Sequence, residues 1–146
     1  EFAVKYDDGK DPRGAKNADI CLVGISGTSK TPLSIYLAHK LYKVSNIPLV
    51  PEVPVPQEVY KKDKRRVIGL IANPYKINAI REERLKTLGL SNNATYSQLE
   101  RIEEELEYSK RIMKELDCIV IDVTNKSIEE TAGIIIDHMK TTFEEY

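Results

Sequence analysis

Only two cysteines occur in 146 residues. Cys21 and Cys118 both sit inside apolar, strand-like runs and fit no metal-ligand spacing, which excludes a disulfide-stapled scaffold or a cysteine-based zinc module and leaves two buried thiols. A surplus of either charge is missing as well. Lys+Arg number 22 against 23 Asp+Glu, for a net charge of -1 with both signs interspersed. That excludes a protein that coats nucleic acid, whose affinity for phosphate backbones needs clustered cations, while small phosphorylated ligands stay open. No apolar run approaches the roughly 20 residues needed to span a bilayer. Residues 1–17 show no basic stretch followed by an apolar one, so the expectation is a cytoplasmic protein with no membrane partner. The first residue is Glu1 and not Met, as in a fragment or a processed form. Neither an internal repeat nor a low-complexity tract is present.

What the chain does have is 41% hydrophobic residues, and at this length roughly 70% of the unfolded surface is buried on folding. One domain with a real core follows. Residues 1–17, EFAVKYDDGKDPRGAKN, hold the turn signals DDG and DPRG and little periodicity, and read as an irregular lead-in to a domain over 18–146. ADICLVG (18–24) suits a strand buried on both faces. From Lys30, the positions Leu33, Leu37, Leu41 and Val44 recur at helical spacing, with Pro32 in a first turn where its missing N–H costs nothing. NIPLVPEV (46–53) reads as a second strand, confined to an edge or an extended segment by Pro48, Pro51, Pro54 and Pro56. RRVIGLIAN (65–73) is a buried strand, residues 76–89 a helix stopped by Gly89, and SNNAT (91–95) a polar break. Ser97 with Glu100 makes a capping box for a long helix whose stripe is Leu99, Ile102, Leu106, Met113 and Leu116. DCIVIDVT (117–124) reads as a further buried strand. Ser127 with Glu130 then caps a last helix that buries Ile128, Ala132, Ile135 and Met139. Strands alternating with helices call for an α/β fold with a parallel sheet covered by helices on both faces, in which ligands gather at the carboxyl ends of the strands.

At the end of the first strand stands GISGTSKT: Gly24, Ile25, Ser26, Gly27, Thr28, Ser29, Lys30 and Thr31. It fits the phosphate-loop pattern of a P-loop NTPase-like sheet except that Ser29 replaces the usual glycine before the lysine. The turn from strand to helix aims the N–H groups of roughly Gly27 to Thr31 at a phosphate on the positive end of a helix dipole. Gly24 and Gly27 let the backbone bend and approach. Lys30 supplies a charge to the terminal phosphates, and the Thr31 hydroxyl is a ligand for Mg²⁺, which prefers oxygen. The bland alternative is a Gly/Ser-rich connector.

GISGTSKTPLSIYLAHK, IPLVPEVPVP, REERLKTLGLS and VIDVTNKSIEETA together resemble the regulatory proteins of pyruvate, phosphate dikinase and phosphoenolpyruvate synthase. The resemblance covers nearly the whole chain, as the carboxyl-terminal part of a family whose members are longer. It implies a bifunctional enzyme that transfers phosphate from ADP to a threonine of the dikinase or synthase, switching it off, and removes it by phosphorolysis with inorganic phosphate, releasing pyrophosphate. Two departures stand out: Gly27 where the family often has Arg, and Tyr6 before Asp7-Asp8-Gly9 where His is common.

Phosphoryl transfer is mostly positioning and charge neutralisation, so the site also needs a carboxylate base, a metal and cations. Asp7 and Asp8 are the base candidates, against an ordinary Asp-Gly turn. The strand over 65–73 ends in Asn73 where phosphate-loop proteins carry a metal-organising carboxylate, so Asp122 is the substitute metal ligand if its strand neighbours the first one. Thr124 and Asn125 at the same mouth are candidate contacts to the nucleotide base. Arg81 and Arg84 share a helix face ahead of the polar break, as in the lid of a small phosphotransferase, but among Glu82 and Glu83 the stronger reading is a solvated, salt-bridged face. The acidic run from Glu100 to Glu107 reads as a solvated face. His39 and His138 read as exposed or packing residues, and Tyr36, Tyr42 and Tyr96 as core edges. The rival functions are a small-molecule kinase with the same loop and an inactive nucleotide-binding fragment. A homodimer stays open, and the proline-rich segment over 48–56 is a candidate for docking a partner loop.

Overall fold

The computed structural model describes residues 17–89 and 98–143. Their elements run β1 (Ile20–Gly24), α1 (Lys30–His39), β2 (Val44–Pro48), α2 (Gln57–Lys61), a 3-10 turn (Lys64–Arg66), β3 (Val67–Ile71), α3 (Pro74–Thr87), α4 (Leu99–Leu116), β4 (Ile119–Asp122) and α5 (Ile128–Phe143). The four strands form one parallel sheet in the order β2-β1-β3-β4, with Ile20 opposite Val44, Cys21 opposite Val67 and Ile68 opposite Ile119.

That order explains where the helices go. The chain leaves β1 towards one side to reach β2, then steps back across β1 to β3 and on to β4. Right-handed crossovers in opposite lateral directions lay their helices on opposite faces. Side chains of β1 alternate accordingly. Ile20 and Leu22 join Leu33 and Leu37 of α1 and Ile135 and Met139 of α5. Cys21 and Val23 join Val59 of α2, Ile77 of α3, and Ile102 and Met113 of α4. With both faces covered, all five residues of β1 are buried, and each such aliphatic side chain contributes about 1.5–3 kcal/mol.

Several boundaries depart from the sequence reading. The first helix ends at His39; Leu41 adopts φ +73° and is 91% exposed, and Val44 opens β2 instead of continuing the helical stripe. A left-handed residue ends helical hydrogen bonding whatever the spacing of the apolar positions. The second strand is Val44–Pro48, at the edge as its prolines require, and the chain turns over 51–53. β4 is not a buried strand: it pairs only with β3 among the described residues, and Ile119 (38%) and Val120 (44%) are exposed. Cys118, ahead of it, is half-buried, whereas Cys21 is buried and desolvation pushes its thiol up to about 12. α3 starts earlier than expected, at Pro74, because the Asn73 side chain accepts from the Tyr75 N–H at 2.8 Å and caps it. α4 follows Gln98 as its N-cap, Ser97 lying outside the described residues. The α5 capping box forms as expected, Glu130 N–H to Ser127 Oγ at 3.0 Å and Ser127 N–H to Glu130 Oε1 at 3.2 Å. Tyr36 and Tyr42 pack at the rim of the core; Tyr96 lies outside the described residues.

Candidate functional site

The boundary between β1 and β3 is where strand order reverses, the place at which open parallel sheets leave a crevice at their carboxyl ends. The segment Ile25–Ser29 stands there, between β1 and α1. Its path requires small residues at two points. A side chain on Gly24 would bring Cβ to 2.8 Å from the Leu70 carbonyl oxygen, and Gly27 has φ +99° with Ile77 Cγ2 only 2.9 Å from where a Cβ would sit. The segment therefore lies flush against both β3 and α3. Ser29 adopts φ +65°, ψ +27°, a left-handed conformation that costs a non-glycine residue roughly 1–2 kcal/mol. This is the physical reason the usual pattern carries glycine before the lysine.

Inside the turn, the buried Ile25 carbonyl accepts from Thr28 Oγ1 at 2.7 Å and from Lys30 Nζ at 3.1 Å. Lys30 is only 5% exposed, so its charge is held at the loop and not spread into solvent. Ser29 is the N-cap of α1 without a side-chain capping bond, and its carbonyl accepts from Leu33 N–H at 3.1 Å. A cavity of about 230 Å³ opens here, lined by Ser26, Gly27, Ser29, Lys30 and Thr31, with Pro48 from the end of β2 and Arg84 from α3. It is smaller than the about 300–1,000 Å³ of pockets that enclose a drug-sized ligand. Two cations, Lys30 and Arg84, lie on its walls.

The two arginines of α3 part company. Arg84 is exposed at the cavity, donating from Nη1 to Ser26 Oγ at 3.0 Å. Arg81 is fully buried, so the solvated face expected for it is wrong. Its Nε donates to the Ser26 carbonyl at 2.9 Å, and its Nη2 and Nη1 reach Glu105 at 2.9 and 3.3 Å. Glu105 is 6% exposed, which also corrects the reading of the whole acidic run on α4 as solvated. Removing one partner of such a buried pair costs about 3–5 kcal/mol. Sequence reasoning missed Glu105 because its neighbours are acidic; its spacing from Ile102 and Ser109, both buried, was the available signal.

Asp122 does not meet the condition attached to it, since β3 stands between β4 and β1. Its Oδ1 accepts from the Thr124 N–H at 2.9 Å and from the Thr124 hydroxyl, and these bonds hold its carboxyl below the usual range. Thr124 is itself occupied, accepting from Asn73 N–H at 2.8 Å; Asn125 is exposed. Asp7 and Asp8 lie outside the described residues. Among the described residues no group of three or more His, Cys, Asp or Glu gathers to hold a metal. Thr31 is the oxygen donor of the proposed metal set that lines the cavity, and Asp122 is not among its lining residues. His39 ends α1, exposed, and a ring nitrogen of His138 is 2.7 Å from the Arg65 carbonyl. Also among the described residues, no helix is long and apolar enough to cross a membrane.

Comparison with known proteins adds an independent finding. A family profile described as kinase/pyrophosphorylase matches residues 1–136. A protein of Clostridioides difficile named "Putative pyruvate, phosphate dikinase regulatory protein" is 65% identical over 140 residues, covering 96% of this chain and 50% of its own length. A similarly named protein of Syntrophomonas wolfei is 63% identical over 137 residues (94% and 50%), and one of Bacillus subtilis 58% over 141 (97% and 52%). The chain thus spans about half the length of the curated relatives it matches.

Proposed function

Because the chain belongs to the kinase/pyrophosphorylase family, we propose that its loop cavity holds the phosphates of ADP while a threonine hydroxyl of a partner protein attacks the β-phosphorus. The threonine oxygen forms the new P–O bond, the bond to the α-phosphate oxygen breaks, AMP leaves and the threonine proton passes to a carboxylate base. In the reverse regulatory step, inorganic phosphate attacks the phosphothreonine, so that pyrophosphate leaves and the hydroxyl is restored. The names of the relatives favour pyruvate, phosphate dikinase over phosphoenolpyruvate synthase as the partner.

The observation that carries this reading is the cavity at the β1/β3 crevice, with Lys30 and Arg84 on its walls. Charge in such a transfer spreads over the equatorial phosphoryl oxygens, and fixed cations and backbone donors stabilise it more than any covalent chemistry does. Lys30 neutralises the phosphates from inside the turn, while Arg84 meets the transferred group from the α3 side. Magnesium would be held by the Thr31 hydroxyl and the nucleotide's own oxygens, and when bound it draws charge off the leaving phosphate. Asp7 or Asp8 is the proposed base.

The decisive experiment mixes the chain, the dikinase and ADP labelled in its β-phosphate. Label on a dikinase threonine with equimolar AMP supports the proposal; phosphate-dependent release of pyrophosphate from the labelled product supports the second activity. The half-length match favours one other reading, a nucleotide-holding fragment that needs the rest of the longer protein. In that case the chain binds ADP, transfers nothing, and a full-length relative transfers in the same assay.

A further inference from the structure

A guanidinium is a planar fork of donors that stays charged at any working pH, so Arg81 at 0% exposure is tolerated only with its donors matched. Two of them engage Glu105 and a third, Nε, takes the Ser26 carbonyl. Glu105 does not stand alone. Its Oε2 also accepts from Arg101 Nε at 2.8 Å, and Arg101 Nη1 continues to Glu52 at 2.8 Å, in the turn that follows β2. A line of alternating charge thus runs from an exposed glutamate through α4 and α3 to a single carbonyl in the loop.

That carbonyl shares a rigid peptide plane with the Gly27 N–H, and in a trans peptide the two point in opposite directions. Whatever holds the Ser26 oxygen towards α3 therefore aims the Gly27 amide away from α3. Gly27 has the freedom to adopt either orientation, at φ +99°, so an outside constraint is what selects one. We infer that Arg81, braced by Glu105 and through Arg101 by Glu52, is the positioning residue that sets the Ser26–Gly27 peptide so that its N–H faces the phosphate cavity. The inference rests on the reading of that cavity as a phosphate site, but the peptide's orientation is measurable without any ligand.

The test uses Arg81→Lys, which keeps the charge beside Glu105 and loses the fork, Glu105→Gln, and Glu52→Gln, whose exposed position spares the fold. In the nucleotide-free chain, the Gly27 amide is expected to change ¹⁵N shift and to exchange with solvent roughly tenfold faster in Arg81→Lys and Glu105→Gln, in the same direction but less in Glu52→Gln, while the Gly69 amide in β3 stays as it was. ADP affinity, by calorimetry, is expected to fall roughly tenfold in the first two, the loss of about one well-placed hydrogen bond to a charged group. If folded Arg81→Lys, or Glu52→Gln should Arg81→Lys not fold, leaves the Gly27 amide unchanged, the inference is overturned. A chain whose Gly27 amide responds but that binds neither ADP nor inorganic phosphate keeps the positioning role and loses the proposed function.

Discussion

The two ends of the sheet each carry a cavity, and the larger one is at the wrong end for the proposed chemistry. At the amino ends of the strands about 490 Å³ opens between Asp19, Tyr42, Arg66, Met139 and Phe143, against about 230 Å³ at the loop. At the larger cavity Arg66 and Asp19 tie neighbouring segments together. The Arg66 guanidinium lies 3.9 Å from the Phe143 ring centre and donates to the Asp19 carbonyl at 3.2 Å, while the Asp19 carboxylate accepts from Lys43 N–H at 2.9 Å. There the cations hold elements together. The larger cavity carries a left-handed residue too, the exposed Leu41 at φ +73°, whereas at the loop the left-handed Ser29 and the positive-φ Gly27 stand beside a lysine that is only 5% exposed, in a segment packed against β3 and α3. What separates the two ends is the buried charge of Lys30, which the larger cavity, lined by the exposed Lys40 and Lys140 and the half-buried Arg66, does not have.

Four measurements break or sharpen that contrast. The largest effect is expected from Lys30→Met, which keeps the aliphatic stem and removes the charge. ADP affinity should drop on the order of 10–100-fold, while Lys140→Ala, at the other cavity, leaves it unchanged; equal losses would erase the distinction between the two ends. Next comes Gly27→Ala. Its methyl meets Ile77 Cγ2 at 2.9 Å in a left-handed conformation, so urea melts should show a loss of about 1–3 kcal/mol together with weaker ADP binding. Arg66→Ala should cost about 1 kcal/mol of stability through the lost ring contact and carbonyl bond with ADP titrations superimposable on those of the parent chain.

The smallest effect is acid sensitivity shared by both ends. A hydrogen bond from Arg65 lowers Asp63 from 3.8 to about 2, bonds from Thr124 lower Asp122, Lys64 lowers Asp117, and Arg101 lowers Glu52 from 4.5. Each carboxyl has a folded-state value below its unfolded one, so its stabilisation is fully present above the unfolded value and drains as pH falls towards the folded one. Urea midpoints should be flat from pH 7 to about pH 5 and decline below that. A decline that begins near neutrality would point to groups other than these.

Much of this layout was readable in advance. β1, the loop and the start of α1 announce themselves because an apolar run, a glycine pair and a proline in the first helical turn are local signals, each acting within a few residues. The direction of every strand and the two-sided covering followed from alternation alone. What escaped was set by partners distant in sequence. Arg81 reads as solvated beside Glu82 and Glu83 because its partners, Glu105 and the Ser26 carbonyl, are 24 and 55 residues away. The run DCIVIDVT reads as a buried strand because composition does not say which strand stands at the rim, where β4 lies among the described residues, and α2 escaped because five residues among prolines make no periodic pattern. Asp122 lost its candidate adjacency for the same reason, through strand order and not through chemistry.

Among the described residues the outer rim of β4 is unpaired and lies beside the exposed Ile119 and Val120, which makes it a template for a further strand. Concentrating the 146-residue chain should therefore favour rim-to-rim stacking of copies, visible as growth in scattering with protein concentration, and a charged residue in place of Val120 should suppress it.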